Sequence, residues 1–129
     1  MNPEFVLVAG DATVADAIAA VRASRAPAGE LHTVYVSGVA ERLAGTVAVA
    51  GLLRSPETAL LSSLVRTDVP AVSTGTDIPE IACVMSDYDL LSLPVVEQQA
   101  RMVGVIGLDD LVERMLPEDW RRRHRAAHE

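Results

Sequence analysis

Hydrophobic and polar positions follow one order along the chain, and that order occurs twice. In the first half, apolar residues recur at helical spacing from Val14, and Thr13 precedes them as an N-cap. Two runs rich in β-branched residues follow over 31–37 and 43–49, and the polar turn between them predicts a β-hairpin. A short helix is then expected from Gly51.

The second half repeats this order. Its elements are predicted as a helix over 78–87, strands over 92–97 and 102–107, and a helix over 108–115. A further helix over 57–65 is expected to connect the two halves. Because proline cannot donate to a strand ladder, Pro94 is predicted to lie at a sheet edge or at a strand start.

The repeat is visible when the sequence is aligned with itself. A shift of 59 positions brings residues 42–47 onto 101–106, and a shift of 64 aligns the two preceding helices. The change of shift places about five extra residues in the first half, in the loop at 25–30 that contains Pro27 and Gly29. Two copies are too few for a solenoid, so the pattern indicates two units that bury each other.

Composition and charge narrow the function classes. The chain has 129 residues, is 50% hydrophobic and only 3% aromatic, and carries a formal net charge of −7. This length suits one compact domain or two small interlocked halves. Such an acidic chain with few aromatic residues is a poor binder of nucleic acid, which needs clustered basic residues and stacking surfaces.

The cellular compartment is predicted from cysteine usage and from the hydrophobic runs. A single cysteine, Cys83, rules out an intrachain disulfide framework and favours a reducing compartment, so a cytoplasmic location is expected. On its apolar helix face Cys83 is expected to be a small buried residue. The longest charge-free run, 43–53, is shorter than the ~20 residues of a spanning helix, and no signal peptide is recognised. Direct insertion into a membrane is therefore not expected.

The repeated segments resemble a known family. The strongest of them are 87–96 and 101–111, and weaker counterparts lie at 13–18, 31–36 and 42–45. Together they resemble a tandem pair of cystathionine-β-synthase (CBS) domains, the regulatory unit called a Bateman module. Within that superfamily, 31–36 and the Asp-Tyr-Asp-Leu-Leu run at 87–91 are similar to the CBS regions of MgtE-type magnesium transporters.

This resemblance implies a fold and a domain organisation. The expected fold is α+β, with two β-α-β-β-α repeats related by a pseudo-two-fold axis and with small sheets flanked by helices. The first CBS repeat, with its connector helix, is expected over 4–63 and the second over 64–116. A charged C-terminal helix or tail follows over 117–129.

The family resemblance also implies two clefts that hold adenine nucleotides. Each repeat of the family ends on glycine, two aliphatic residues, serine or threonine, two variable residues and aspartate. The aspartate accepts hydrogen bonds from ribose hydroxyls, and the hydroxyl with the helix N–H groups meets phosphate. In the second copy Asp110 keeps the acid, but Gly107 replaces the hydroxyl. In the first copy both positions are lost, to Ala48 and Gly51.

The two clefts are therefore expected to differ. The first is predicted to bind ATP, ADP or AMP through Asp110, Gly107, Leu108, His32, Thr33, Leu31 and Val6, with free backbone donors at Gly107 and Leu108. The second would be formed by Ala48, Gly51, Pro70, Leu90, Leu91 and Ser92 and would lack a polar anchor. Because unpaired ribose hydroxyls cost about 1–3 kcal/mol each, at most one nucleotide is expected per chain.

Each of these residues also has an ordinary structural explanation. Asp110 fits a plain interaction with the positive end of a helix, worth about 0.3–1 kcal/mol, and Gly107 fits a tight strand-to-helix turn. His32 fits a polar residue at the cleft mouth. Asp87, Asp89 and Asp109 are weak candidates for Mg²⁺ ligands, since Mg²⁺ prefers oxygen, but a solvated acidic face explains them too.

Two functions remain after these considerations. The first is a non-catalytic regulatory module that senses an adenine nucleotide, Mg²⁺ or both, and transmits binding to a membrane transporter or another effector domain. The alternative is a degenerate pair that no longer binds nucleotide and serves in dimerisation or interaction. An enzyme is not expected, because no catalytic motif is recognised. A homodimer through the CBS helices is expected, with Ile18, Val21, Ile81 and Met85 as candidate interface residues.

Overall fold

The elements follow the repeated order of the sequence. The computed structural model describes residues 1–117 and 119. Its helices and strands are β1 (Leu7–Ala9), α1 (Val14–Ala23), β2 (Thr33–Ser37), β3 (Leu43–Ala48), α2 (Val49–Leu53), β4 (Val72–Ser73), α3 (Ile78–Asp87), β5 (Ser92–Glu97), β6 (Arg101–Gly107) and α4 (Leu108–Met115). In the described residues, no helix is long and apolar enough to cross a membrane.

Each half forms one three-stranded sheet. The strand orders are β1-β2-β3 and β4-β5-β6. In both sheets the first pair is parallel and the second is an antiparallel hairpin. Both hairpins turn through residues with positive φ, at Ala40 and Glu41 in the first and at Gln99 and Ala100 in the second. The predicted α+β fold with two equivalent halves is confirmed.

Additional backbone pairings reveal how the halves exchange segments. Thr46 of β3 pairs with Arg66, the start of the second repeat, and Val105 of β6 pairs with Asn2, the start of the first. These two bridges are equivalent, because Val105 lies 59 positions after Thr46 and Arg66 lies 64 positions after Asn2. Each repeat therefore closes the sheet of the other, so the two halves interlock.

Local capping signals are confirmed. Thr13 caps α1 by accepting a hydrogen bond from the Asp16 amide at 3.2 Å, and Asp16 accepts one from the Thr13 amide at 3.0 Å. This reciprocal capping box satisfies backbone donors that the first turn leaves unpaired. Asp77 caps α3 in the equivalent place. The extra loop residues are also confirmed, because 24–32 separate α1 from β2 whereas only 88–91 separate α3 from β5.

The predicted connector helix over 57–65 is wrong. Only one turn of 3₁₀-helix forms there, at Leu61–Ser63. The backbone of this connector bonds instead to the loop that leads into α1: the Leu61 amide donates to the Ala12 carbonyl at 2.9 Å, and the Ser62 amide to Gly10 at 3.1 Å. Bonds to a neighbouring segment have replaced the bonds within a helix, which periodicity alone does not anticipate.

Pro94 was predicted to lie at a sheet edge or at a strand start, and it lies at neither place. It lies third in β5, the central strand of its sheet, and is buried. The neighbouring strand β4 pairs only with Val95 and Val96, so it does not cover Pro94. In the first half the equivalent residue, Tyr35, donates its amide to the Val6 carbonyl at 2.9 Å. Pro94 is tolerated because that pairing is absent in the second sheet.

Two small cores lie under the sheets. The first is built around Val14, Val34, Leu52 and Leu61, and the second around Met85 and Leu93. Ile81 and Met85, predicted as interface residues, belong to the second core and do not offer a surface. Ile18 and Val21 pack against the first core.

Exposure corrects one prediction and leaves another untested. Cys83 is exposed, so the prediction of a buried thiol is wrong: it lies on the solvent side of α3, opposite the residues that enter the core. The predicted charged tail over 117–129 lies outside the described residues, apart from Pro117 and Asp119.

Candidate functional site

Two clefts open where the sheets meet, and one hydrogen bond separates them. The Tyr35 hydroxyl and the Ser92 hydroxyl lie 2.8 Å apart, both buried. Both residues line both clefts, as do His32 and Thr33. Tyr35 comes from β2 and Ser92 from β5, so this contact joins the central strands of the two sheets. The predicted pair of clefts is therefore present, with a polar wall between them.

The first cleft has a narrow inner part and a wide outer part. The inner part has a volume of about 50 Å³ and reaches Asp110 and Ser92. The outer part has a volume of about 610 Å³ and runs along α4. The two parts share Gly29, His32 and Asp109, so they lie side by side, and together they are the groove of the first cleft. The volume of the outer part falls in the range of small-molecule sites.

Five of the seven predicted nucleotide residues line this groove. Gly107, Asp110, His32 and Thr33 line the inner part, and Leu108 the outer part. β6 runs directly into α4 with Gly107 as its N-cap residue, so the acid of the motif lies in the first turn of the helix. The register of the repeat thus brings residues from both halves together.

Two predicted contacts do not line the groove. The Val6 side chain is buried in the first core, and its carbonyl accepts from Tyr35. Leu31 packs against the same core. Both residues precede their strands, and both side chains pack into the first core instead of facing the groove.

The predicted backbone donor at Leu108 is also already used. The Leu108 amide donates to the Leu91 carbonyl at 2.9 Å, and the equivalent Val49 amide donates to the His32 carbonyl at 3.1 Å. These bonds fix the helix starts against the opposite strand. Leu108 therefore offers the groove its side chain, which is 38% exposed.

Negative charge dominates the first cleft. Five carboxylate residues line its two parts, and among the described lining residues there is no arginine: Glu4, Glu30, Asp109, Asp110 and Glu113. Glu30 is held across the mouth by Asn2, whose amide nitrogen donates to its carboxylate at 3.0 Å. A free phosphate would be repelled here, whereas a ribose hydroxyl or a hydrated cation would be attracted.

The second cleft has polar groups that the sequence interpretation missed. Its volume is about 230 Å³, and the predicted Ala48, Leu90, Leu91 and Ser92 line it. Arg66, Asp89 and Thr46 line it as well, so the prediction of a cleft without a polar anchor is wrong. Gly51 and Pro70 are not among its lining residues. Arg66 forms an exposed ion pair with Asp68 at 3.4 Å, beside the opening.

The three weak metal candidates do not form a site together. Asp109 lines the first cleft and Asp89 the second, whereas Asp87 is exposed at the end of α3. Among the residues described, no cluster of three or more acidic, histidine or cysteine side chains could hold an ion. The spacing of these aspartates along the chain therefore does not translate into a common coordination sphere.

The Tyr35 hydroxyl in the wall between the clefts carries no charge at physiological pH. Burial raises the pKa of the Tyr35 hydroxyl, and the hydrogen bond with Ser92 lowers it by less. Tyr35 is therefore a neutral group at physiological pH, able to share its proton with Ser92 but not to add charge to either cleft.

A signal for the missed residues was present in the repeat itself. The shift of 64 that aligns the helices also aligns Asn2 with Arg66, and both residues line a cleft. Extending the alignment to the start of each repeat would have assigned one of them to each cleft. Glu30 lies in the extra loop of the first half and has no counterpart, so no such signal exists for it.

Comparison with known proteins places the fold in a family. The CBS-domain model matches residues 61–117. The magnesium transporter MgtE of Thermus thermophilus is 31% identical over 113 residues, which is 88% of this chain and 25% of that protein. MgtE of Enterococcus faecalis is 26% identical over the same length, again 88% and 25%. The chain thus spans about a quarter of the length of these relatives.

Solved structures agree with this relationship. The cytosolic domain of the Mg²⁺ channel MgtE in complex with ATP matches with a TM-score of 0.81 and 30% identity, covering 88% of this chain and 46% of that one. The soluble part of another magnesium transporter matches in fold, with a TM-score of 0.77, 23% identity and coverage of 87% and 44%. The chain is a tandem pair of CBS domains that is similar to the CBS region of MgtE-type magnesium transporters.

Proposed function

We propose that this chain is a non-catalytic regulatory module that binds an adenine nucleotide together with Mg²⁺ in its first cleft. The observation that carries the proposal is the position of Asp110 beside Gly107, His32 and Thr33 in one groove built from both repeats. The carboxylate of Asp110 is suited to accept hydrogen bonds from ribose hydroxyls. A structural relative of 30% identity was solved in complex with ATP, which supports the same ligand class here.

The acidic lining favours a nucleotide that carries Mg²⁺. Phosphates close to Asp109 and Glu113 would be repelled unless a cation lay between them. Mg²⁺ is commonly held by one or two carboxylates together with substrate phosphates and waters. Mg²⁺ and nucleotide are therefore expected to bind cooperatively, with ATP and ADP depending on Mg²⁺ more strongly than AMP does.

Helix α4 provides a route from the cleft to a partner. Its first turn carries Asp110, and Met115 in its last turn is 59% exposed. We place the expected homodimer contact, or the contact with a transporter or other effector domain, at this end of α4. A contact with the cytoplasmic side of a transporter would place the module in the cytoplasm. A ligand that repositions α4 would change the geometry of that contact.

Thermal denaturation with ATP, ADP and AMP, each with and without Mg²⁺, tests the proposal. A ligand at about 100 times its dissociation constant adds about 2.7 kcal/mol, so a rise in Tm is expected with Mg²⁺ and ATP. Asp110→Asn should remove most of the rise. Asp89→Asn, the same chemical change in the second cleft, should preserve it, and asparagine tolerates the positive φ of 52° found at Asp89.

Two results would contradict the proposal. The absence of a shift with every ligand at millimolar concentration would favour the alternative, a pair that serves only in dimerisation or interaction. A shift that Asp89→Asn removes and Asp110→Asn does not would assign the ligand to the second cleft. Light scattering of the same samples reports the oligomeric state, which is expected to be dimeric.

A further inference from the structure

A third cavity lies between α3, α4 and the loop that follows β4, and Met1 from the start of the first repeat also lines it. Its volume is about 220 Å³. The floor is apolar, formed by Ile78, Ile81, Ile106 and Leu111, and Thr76 lies at the rim. At about 30 Å³ per water molecule in the liquid, this volume corresponds to roughly seven waters, which is room for one large side chain.

The equivalent place in the first half is filled. Leu61 of the connector is fully buried there, in one core cluster with Val14, Ala17 and Leu52. The repeat maps these three residues onto three that form the floor of the cavity: Val14 onto Ile78 and Ala17 onto Ile81 by the shift of 64, and Leu52 onto Leu111 by the shift of 59. The cavity is therefore the counterpart of a site that a side chain occupies in the other copy.

Backbone bonds show how the first half holds its occupant. Four hydrogen bonds join the connector to the loop before α1 and to the first turn of α1: Leu61 amide to Ala12 carbonyl at 2.9 Å, Ser62 amide to Gly10 carbonyl at 3.1 Å, Val14 amide to Ala59 carbonyl at 2.9 Å and Ala15 amide to Glu57 carbonyl at 3.0 Å. The counterparts of the Ala12 and Gly10 carbonyls are the carbonyls of Thr76 and Thr74. No backbone bond of the described residues reaches either carbonyl.

The sequence after α4 repeats the beginning of the connector. Pro56-Glu57 follows α2, and Pro117-Glu118 follows α4. The two Pro-Glu pairs lie 61 positions apart, whereas the shift of 59 that aligns Leu52 with Leu111 aligns Leu61 with Trp120, which is the one large apolar residue in 118–129. The connector takes nine residues, 57–65, and twelve residues remain from 118 to the last residue of the given sequence, so the length suffices.

We propose that segment 118–129 binds in this cavity and that Trp120 takes the position that Leu61 holds in the first half. An indole has the apolar area to cover the isoleucine floor and an N–H for a polar rim. The segment would then close the second half as the connector closes the first. Because α4 carries both Asp110 and the end that leads into this segment, the segment would also anchor the helix that borders the ligand cleft.

The fluorescence of Trp120, the single tryptophan of the chain, tests the proposal in the whole chain of 129 residues. We expect emission at shorter wavelength than in urea and acrylamide quenching several-fold weaker. Ile78→Phe fills the cavity and should return both readings most of the way to the unfolded values. Cys83→Phe, an equal or larger added side chain at an exposed place on the same helix, should change neither.

Further measurements keep each outcome decisive. Far-UV circular dichroism verifies that each variant is folded, and Ile78→Ser, which removes apolar floor without adding volume, replaces Ile78→Phe if that variant does not fold. Emission that matches the unfolded chain overturns the proposal, as does burial that neither Ile78 variant changes. Burial that disappears on dilution also overturns it, because Trp120 would then bind to a second copy.

Discussion

Gly45 and Gly104 occupy equivalent positions, but their surroundings predict different responses to alanine. Neither residue has a positive φ, so alanine is compatible with the backbone at both places. A Cβ on Gly45 would lie 2.6 Å from the Val65 side chain and closer still to the Arg66 carbonyl oxygen. A Cβ on Gly104 would meet mainly the side chain of Met1, which is 53% exposed and free to move.

The cost of Gly45→Ala follows from these contacts. Forcing a methyl group into packed surroundings costs about 1–3 kcal/mol. Displacing Arg66 also breaks its two backbone hydrogen bonds with Thr46, at 3.0 and 2.8 Å, each worth about 0.5–1.5 kcal/mol. The sum is about 2–6 kcal/mol. About 0.4–1 kcal/mol is recovered because alanine restricts the unfolded chain. Gly104→Ala has the same gain, so its net change should stay within about 1 kcal/mol.

Urea denaturation followed by circular dichroism measures both variants. With a slope of about 1–3 kcal/mol per molar urea, a net loss of at least about 1 kcal/mol for Gly45→Ala should lower the midpoint by at least about 0.3 M, and Gly104→Ala should change it less. Equal losses for the two variants, or a larger loss for Gly104→Ala, would refute the reasoning that the crossing segment at Arg66 is rigid.

Three further predictions concern the wall between the clefts and the first helix cap. Tyr35→Phe and Ser92→Ala should each lower the free energy of unfolding by about 1–3 kcal/mol, because each leaves a buried hydroxyl unpaired. In a double-mutant cycle measured by urea denaturation, the double variant should lose less than the sum of the two single losses. Additive losses would mean that the 2.8 Å contact contributes nothing. Because the pKa of Tyr35 is raised in the folded protein, the unfolded chain loses this proton first as the pH rises. The contribution of Tyr35 to the free energy of unfolding should therefore be present below pH 10.0 and lost as the pH rises through the folded pKa. Tyr35→Phe should flatten this loss of stability when denaturation is followed at a series of alkaline pH values. The hydrogen bond from the Thr13 amide lowers the pKa of Asp16 below 3.8, so the contribution of Asp16 to the free energy of unfolding should be present above that pH and lost as the pH falls through the folded pKa. Asp16→Asn should therefore be less stable than the native protein at neutral pH, and the difference should shrink in acid. A difference that does not depend on pH would contradict this assignment.

The elements of this protein follow closely from local pattern. The helix over 78–87 and the strand over 92–97 have the predicted bounds, because capping by Asp77, helical spacing and β-branched residues all act over a few neighbouring residues. The same local rules predicted a helix over 57–65, and that prediction is wrong. The backbone bonds of this segment go to residues some fifty positions earlier in the chain, and no local pattern carries that information.

The residues of the candidate site likewise fall into those that the sequence predicts and those that it does not. Asp110 and Gly107 were predicted from the motif that the family resemblance implies, and the fold brings them to His32 and Thr33. Arg66 and Glu30 were missed, since one enters its cleft on a crossing segment and the other on a loop without a counterpart.

The repeated residue pattern already specifies that two similar units exist, that their helices and strands have apolar faces, and that α1 and α3 begin at Val14 and Ile78. Tertiary structure alone decided which surfaces those units share. The pairing of Thr46 with Arg66 and of Val105 with Asn2 joins residues far apart in the chain, and it assigns the start of each repeat to the sheet of the other. Both clefts and their unequal charge arise from that exchange, because they are formed between segments that local interactions leave independent.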